Sequence, residues 1–372
     1  MTAPPQPSAR RKLRLFMTAD AVGGVFTYAV DLAAGLVPHG VETTLAIMGP
    51  SAEPAQREAA ARVVGLSFID SHLPLDWLAQ DANAADQAAT EIAALASWHR
   101  ADVVHLNTPA LACATYERPV VAALHSCLAS WWSAVKGGPM PEDFRWRTEL
   151  TARGLRCADA AVCPTQALAA EVERLYGRRP IAVPNGRALP EFPSKTKDDG
   201  FVFATGRLWD EGKNLATLVT AAPMMDLPVF VAGPLDGPNG ARADAGAITA
   251  LGALPPEAIR ARLAERPIFV APALYEPFGL GVLEAAQAGC ALVLADIPTF
   301  RELWSGAAIF VSPRDAAGFA TAVNRLHRRA DERHRMGTAA RERAGRYSVA
   351  AMARRMMHIY AGLLAGRKGA AA

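Results

Sequence analysis

Short apolar runs separated by helical patterns recur along almost the whole chain, and this alternation limits the fold more than any other feature. In the first half, strands are expected at Leu13–Thr18, Val41–Met48, Ala101–Leu106, Val120–His125, Ala160–Cys163 and Ile181–Val183. Helical spacing falls between them at Val25–Val37, Asp86–His99, Asp143–Arg156 and Gln166–Tyr176. Strands that alternate with helices build βαβ units. Their strands lie parallel, and their helices cover both faces of the sheet.

The rhythm breaks at Pro184–Gly200, a stretch rich in proline, glycine and mixed charge, and then restarts. New strands are expected at Phe201–Thr205, Val229–Ala232, Ala247–Leu251, Ile268–Ala271, Ala291–Leu294 and Ala307–Val311. Helices are expected at Ala216–Ala222, Pro256–Glu265, Leu280–Ala288, Pro298–Leu303, Ala316–Arg329 and Ala330–Gly345. The organisation is therefore a disordered tail at 1–9, a Rossmann-like domain at 10–186, a linker at 187–200 and a second Rossmann-like domain at 201–347. Ser348 is placed to cap a last helix, Val349–Ala365, whose Met352, Met356, Ile359, Tyr360 and Leu363 form one apolar stripe.

Composition removes several classes. The chain has 372 residues and a formal charge of +3, too balanced for a dedicated nucleic-acid binder. Hydrophobic residues make up 51%, enough for large cores and against global disorder. The five cysteines form no CxxC pair, which argues against a disulfide framework or a zinc ribbon and fits a reducing cytosol. The basic start before Leu15 is followed by an apolar run that stops at Asp20, so neither a signal peptide nor a membrane-spanning helix is expected. Residues 321–372 carry twelve Lys/Arg against three Asp/Glu. That segment is either a solvated helical face or a weak contact for an anionic membrane surface.

Ligands of doubly wound sheets sit beyond the C-terminal strand ends. Three such loops stand out. Gly23-Gly24 follows the first strand and precedes a helix, so the backbone there can approach a ligand closely. Arg207 and Lys213 follow the first strand of the second half, where cations meet anions at a helix start. The segment Glu276-Pro277-Phe278-Gly279-Leu280 ends a strand and opens a helix that carries Glu284. Backbone N–H groups of Phe278, Gly279 and Leu280 would be free there for phosphate oxygens. Each feature also has a plain structural use: a tight turn, a surface ion pair or a capping carboxylate.

Together, Glu276-x7-Glu284, Gly206-Arg207-Leu208 with Lys213-Asn214, and Gly23-Gly24 resemble the retaining glycosyltransferases of family 4, over about residues 13–365. The resemblance implies the GT-B fold, an α/β architecture of two doubly wound Rossmann-like domains facing across a cleft. The first would take the acceptor and the second the nucleotide-sugar donor, with the final helix, 348–366, crossing back to the first. It implies that Glu276 contacts the transferred sugar, Glu284 the ribose, and Arg207 and Lys213 the diphosphate. Phe278, Gly279 and Leu280 would meet the phosphates, Gly23 and Gly24 would lie beside them, and the backbone at Leu254 would read the base. His125 would face the donor sugar. No Asp-x-Asp motif is present, so no metal or other cofactor is expected, and the two cations would replace a divalent ion.

Two departures from the family pattern bear on substrate choice. The stretch 206–276 is short, which affects the base-reading pocket. Ala129–Arg147 is an aromatic and basic insertion-like segment. Its Trp131, Trp132, Lys136 and Arg145, with Asn107 nearby, form a candidate acceptor wall, since aromatic faces stack on sugars and cations bind anions. A hydrophobic cap over the core would use the same residues. The expected activity is transfer of a UDP- or GDP-linked sugar to a hydroxyl of a saccharide, lipid-linked or small-molecule acceptor, in the cytoplasm or peripherally at the inner membrane face. Another GT-B sugar-nucleotide enzyme, an epimerase or phosphorylase, or a non-catalytic sugar-nucleotide binder are the alternatives.

Overall fold

The computed structural model describes residues 12–188, 192, 200–238 and 240–370. The tail expected at 1–9 and most of the linker expected at 187–200 lie outside the described residues.

The first half runs β1 (Leu13–Asp20), α1 (Gly24–Leu36), β2 (Val41–Met48), α2 (Pro54–Ala61), β3 (Leu66–Asp70), α3 (Ala82–Trp98), β4 (Val103–Leu106), β5 (Val120–Ala123), α4 (Leu128–Val135), α5 (Arg145–Cys157), β6 (Ala160–Cys163), α6 (Gln166–Tyr176) and β7 (Ile181–Ala182). The second runs β8 (Val202–Thr205), α7 (Leu215–Ala221), β9 (Val229–Ala232), β10 (Thr249–Ala250), α8 (Pro256–Ala264), β11 (Ile268–Ala271), α9 (Leu280–Ala288), β12 (Ala291–Ala295), α10 (Pro298–Trp304), β13 (Ile309–Val311), α11 (Ala316–Arg328), α12 (Ala330–Ala344) and α13 (Val349–Ala370).

Each half makes one all-parallel sheet, ordered β3-β2-β1-β4-β5-β6-β7 and β10-β9-β8-β11-β12-β13. The central strands β4, β5 and β6 are buried along their whole length. That explains why they read as unbroken apolar runs rather than alternating ones. In both sheets the chain reverses direction of travel beside the first strand, between β1 and β4 and between β8 and β11. Such switch points open a crevice at the C-terminal strand ends.

The last helix belongs to the first sheet's core. Met352, Met356 and Tyr360 are buried there, with Ile359 and Leu363 packed against them, as the stripe predicts. Ser348 accepts the Ala351 N–H at 3.2 Å and so caps the helix start. The chain thus crosses between the sheets twice, and the crossings run side by side, with the Arg187 N–H on the Tyr347 carbonyl at 3.1 Å. At least four of the twelve basic side chains in residues 321–372 form ion pairs within the chain. Arg325 and Arg329 pair with Glu332, Arg328 with Asp226, and Arg367 with Asp159.

The cysteine expectation is corrected. Cys113 and Cys157 form a disulfide, with Cα atoms 5.2 Å apart. Cys157 ends α5, and Gly154 one turn earlier lets that helix press against the Pro109 carbonyl; a side chain there would overlap it at 1.7 Å. This close approach brings together thiols 44 residues apart. Cysteine count therefore no longer speaks for a reducing compartment. Among the described residues, no helix is long and apolar enough to cross a membrane.

Candidate functional site

The strand ends at the two switch points face one cleft of about 1060 Å³. Asp20, Gly23 and Gly24 reach it from the end of β1, Asn107 from β4 and His125 from β5. Arg207 and Lys213 reach it after β8, and Glu276 through Leu280 after β11.

On the second-sheet side, Asp210 organises the loop. Its carboxylate accepts from the Gly212 N–H at 2.9 Å and from Arg207 Nη2 at 3.2 Å. It also accepts from Trp131 Nε1 of α4 at 3.0 Å, across the cleft. Asn214 adopts a left-handed conformation (φ 57°), and its side-chain amide donates to the carbonyls of Pro272 and Pro313. That fixes the end of the loop and aims Lys213 at Glu276, with which it forms a half-buried ion pair. A cation and a carboxylate that satisfy each other are both available to a ligand carrying negative charge and hydroxyl groups.

Helix α9 starts at Gly279, whose φ of +87° lies in the left-handed region that other residues adopt only at a cost of roughly 1–2 kcal/mol. No side chain caps this end. Its first N–H groups and the positive end of its dipole therefore point at the cleft, as an anion site requires. Glu284, one turn in, accepts from Arg187 Nη2 at 2.7 Å, while Arg187 Nη1 donates to Asp31 of α1 at 2.7 Å.

The first-sheet wall approaches closely. A Cβ on Gly23 would lie 3.2 Å from Arg207 Nη1, and one on Gly24 would lie 3.1 Å from Leu280 Cδ1. The paired glycines are what let the two halves meet here. Asp20 accepts from the Val22 and Gly23 N–H groups at 2.9 and 3.2 Å. Burial nevertheless raises its carboxyl above the usual range, and Arg207 partly offsets this. His125 packs edge-on to the Tyr28 ring at 4.5 Å, and burial lowers its imidazole to about 4.

The aromatic and basic segment 129–147 forms α4 and the start of α5, the latter where the helix Asp143–Arg156 is expected. Trp131, Trp132 and Lys136 line the cleft, and Lys136 reaches over to Glu211 at 2.6 Å. Two expected residues do not reach the cleft. Arg145 is exposed and pairs with Glu142 at 2.9 Å. Arg147, two residues on and turned by the helical pitch, lines the cleft instead and stacks over Trp146 at 4.3 Å. Leu254 packs against the second sheet's core and is not among the cleft residues.

Three cleft residues, Asp76, Asp210 and Tyr275, were not anticipated, nor was Arg187 outside the cleft lining. Asp76, which accepts from Thr108 Oγ1 at 2.8 Å, has a carboxyl raised by burial. Asp210 and Tyr275 bridge the halves, the latter through Ser130 Oγ at 2.7 Å. Arg187, which pairs with Glu284, sat in the segment expected to be linker. Only the Gly212-adjacent acidic pair, Asp210-Glu211, gave a local signal; the other contacts are long-range. Among the described residues, no group of three or more His, Cys, Asp or Glu side chains is arranged to hold a metal ion.

Residues 22–189 match the family described as Glycosyltransferase Family 4, and residues 187–343 match Glycosyl transferases group 1. No curated protein sequence matches. Among solved structures, sucrose-phosphate synthase from Thermosynechococcus elongatus is similar over 95% of this chain and 100% of its own, at 18% identity and a TM-score of 0.77. HepE of Anabaena, in complex with UDP-glucose, is similar over 94% and 100%, at 18% identity and 0.73. A glycosyltransferase from Rickettsia africae is similar over 95% and 99%, at 15% identity and 0.70. These likenesses, with the two parallel sheets, establish the GT-B fold.

Proposed function

The chain belongs to the group 1 glycosyltransferases of family 4, and from that premise we propose that it transfers a sugar from a nucleoside diphosphate to an acceptor hydroxyl, with retention of configuration. The observation that carries this is the convergence of Arg207, Lys213, the uncapped start of α9 and two carboxylates, Glu276 and Glu284, on one cleft between two sheets.

The chemistry follows from where charge must develop. As the bond between the anomeric carbon and the phosphate oxygen breaks, negative charge grows on the diphosphate. In this reading Arg207, Lys213 and the N–H groups of Phe278, Gly279 and Leu280 stabilise it, and they do so in place of a divalent ion. Glu284 holds the ribose hydroxyls, its carboxylate oriented by Arg187. Glu276 holds hydroxyls of the sugar, released from Lys213 as the phosphate takes that cation.

The acceptor enters along Trp131, Trp132 and Lys136, with Gly23 and Gly24 beside the diphosphate. Its oxygen bonds to the anomeric carbon on the face the phosphate leaves, and its proton passes to a phosphate oxygen. No side chain serves as a nucleophile. The UDP-glucose in the HepE complex supports a UDP-linked donor first, with GDP next. Arg354 and Arg355 on α13 are exposed and available to an anionic lipid surface, which suits a lipid-linked acceptor and a cytoplasmic enzyme at the inner face.

The test is a panel of UDP- and GDP-sugars offered with and without saccharide acceptors, following nucleotide release and product anomer. Acceptor-dependent release with a retained anomer supports the proposal. Donor conversion without an acceptor would indicate an epimerase instead.

A further inference from the structure

Asn107 holds two histidines at once, and its own orientation is fixed from outside. Its Nδ2 lies 2.6 Å from the Thr18 carbonyl, an oxygen that can only accept, so the amide nitrogen must point there. The backbone N–H of Asn107 donates to Thr18 Oγ1 at 3.0 Å and secures the same placement. Oδ1 is thereby left facing His105 Nε2 at 3.2 Å and His125 Nε2 at 2.8 Å. A carbonyl oxygen cannot donate, so both imidazoles must carry their proton on Nε2.

The consequence differs at the two rings. At His105, which is fully buried in β4, Nδ1 is a bare acceptor and receives a hydrogen bond donated by the Tyr360 hydroxyl at 2.7 Å. The crossing helix α13 thus closes that end of the chain of bonds. At His125, Nδ1 is the ring's remaining polar atom. It has no hydrogen-bond partner among the described residues, and the ring lines the cleft. Tyr28 covers the ring edge-on from α1, and His105 stands behind it on β4. The charged side chains that share the cleft with it are Asp20, Asp76, Arg147, Arg207, Asp210, Glu211, Lys213, Glu276 and Glu284, with Lys136.

We propose that Asn107 is a positioning residue that locks His125 in the Nε2–H form, so that His125 meets its ligand only as a hydrogen-bond acceptor at Nδ1. A partner at Nδ1 must therefore donate. A sugar hydroxyl qualifies, whereas an ionised phosphate oxygen or carboxylate does not, because its lone pairs would face that of Nδ1. On the glycosyltransferase reading, this assigns His125 to a hydroxyl of the donor sugar or of the acceptor and excludes it from the diphosphate site. Tyr360 plays the matching part for His105.

The experiment is long-range proton–nitrogen correlation NMR on the full chain labelled at histidine nitrogens, near pH 7. His125→Gln and His105→Gln assign the two rings by loss of signal. The expected result is a proton-bearing Nε2 and a lone-pair Nδ1 on both rings. Tyr360→Phe should move the Nδ1 signal of His105 and leave the form of His125 unchanged. Asn107→Asp should place a carboxylate between the rings and bring at least one imidazolium into view near neutral pH. A proton on His125 Nδ1, an average of both forms, or a charged ring in the unaltered protein would overturn the proposal. The readout needs no turnover, so it stands or falls separately from the transferase activity.

Discussion

Arg187 and Glu284 form an ion pair at 2.7 Å in which each side chain is only about a quarter exposed, at 23% and 28%. The other arm of the same guanidinium holds Asp31. One arginine therefore joins α1 of the first sheet to α9 of the second and orients the carboxylate assigned to the ribose. Replacing it with methionine should cost about 1–3 kcal/mol in urea unfolding, the penalty for leaving partly buried carboxylates unpaired. Nucleotide affinity should fall by about tenfold, or 1.4 kcal/mol. Burial raises Asp31, and Arg187 opposes that rise. Without the arginine, the folded protein holds the Asp31 proton to higher pH than the unfolded chain does. The variant should therefore lose more stability at pH 8 than at pH 5. An equal deficit at both values would deny the coupling.

The Lys213–Glu276 pair separates binding from transfer. Lys213→Ala should lower kcat by roughly 10²–10³-fold, as removal of one preorganised stabiliser of developing charge does elsewhere. Glu276→Ala should impair transfer and leave nucleotide affinity within a few-fold, since it is assigned to the sugar. Steady-state kinetics beside calorimetric titration with the diphosphate would measure both. Full turnover in Lys213→Ala removes that residue from the mechanism.

The two buried histidines predict an acid limb of stability. Burial lowers His105 to about 3 and His125 to about 4, against 6.5 for a free imidazole. Between pH 6.5 and 4 the unfolded chain binds protons that the folded chain refuses, so stability falls as pH falls. Each ring contributes a slope of about 1.4 kcal/mol per pH unit in that window. Relative to the unaltered protein, His125→Gln should flatten the curve by one such increment between pH 4.5 and 6. An unchanged slope would mean that His125 titrates normally.

Three of the five cysteines should react with alkylating agent in denaturant without reductant, and all five after reduction, because Cys113 and Cys157 are paired. Replacing both with serine should cost about 4 kcal/mol in the chain-entropy limit for a loop of this length. Mass spectrometry counts the labels directly. Five labels in unreduced protein would refute the bridge.

The sheet cores were legible because buried parallel strands leave unbroken apolar runs, as in Ala160–Cys163 and Ile268–Ala271. Helix α9 was legible at both ends because left-handed Gly279 and Gly289 bracket it. Strand β3 was not, since it is an edge strand that is largely half-buried, and Leu66-Ser67-Phe68-Ile69-Asp70 gives little contrast between faces. His125 was expected at a strand end, but β5 stops at Ala123, two residues earlier. Residues within one loop, such as Glu276 through Leu280, could be read together. Asp76, Arg187 and Tyr275 could not, because their partners lie far off in sequence and only the folded sheets bring them together. Arg145 and Arg147 show the limit most simply: only the helix phase decides which arginine faces the cleft.

The central claim is that this cleft holds a nucleoside diphosphate between Arg207, Lys213, the start of α9 and Glu284. Thermal unfolding with UDP, GDP, ADP and dTDP, and with their sugars, tests it directly. A ligand at 100 times its dissociation constant adds about 2.7 kcal/mol, well within detection. The account predicts stabilisation by one nucleotide series, UDP first, that disappears in Glu284→Ala. Stabilisation by none of the four, or a shift that survives in Glu284→Ala, would contradict it.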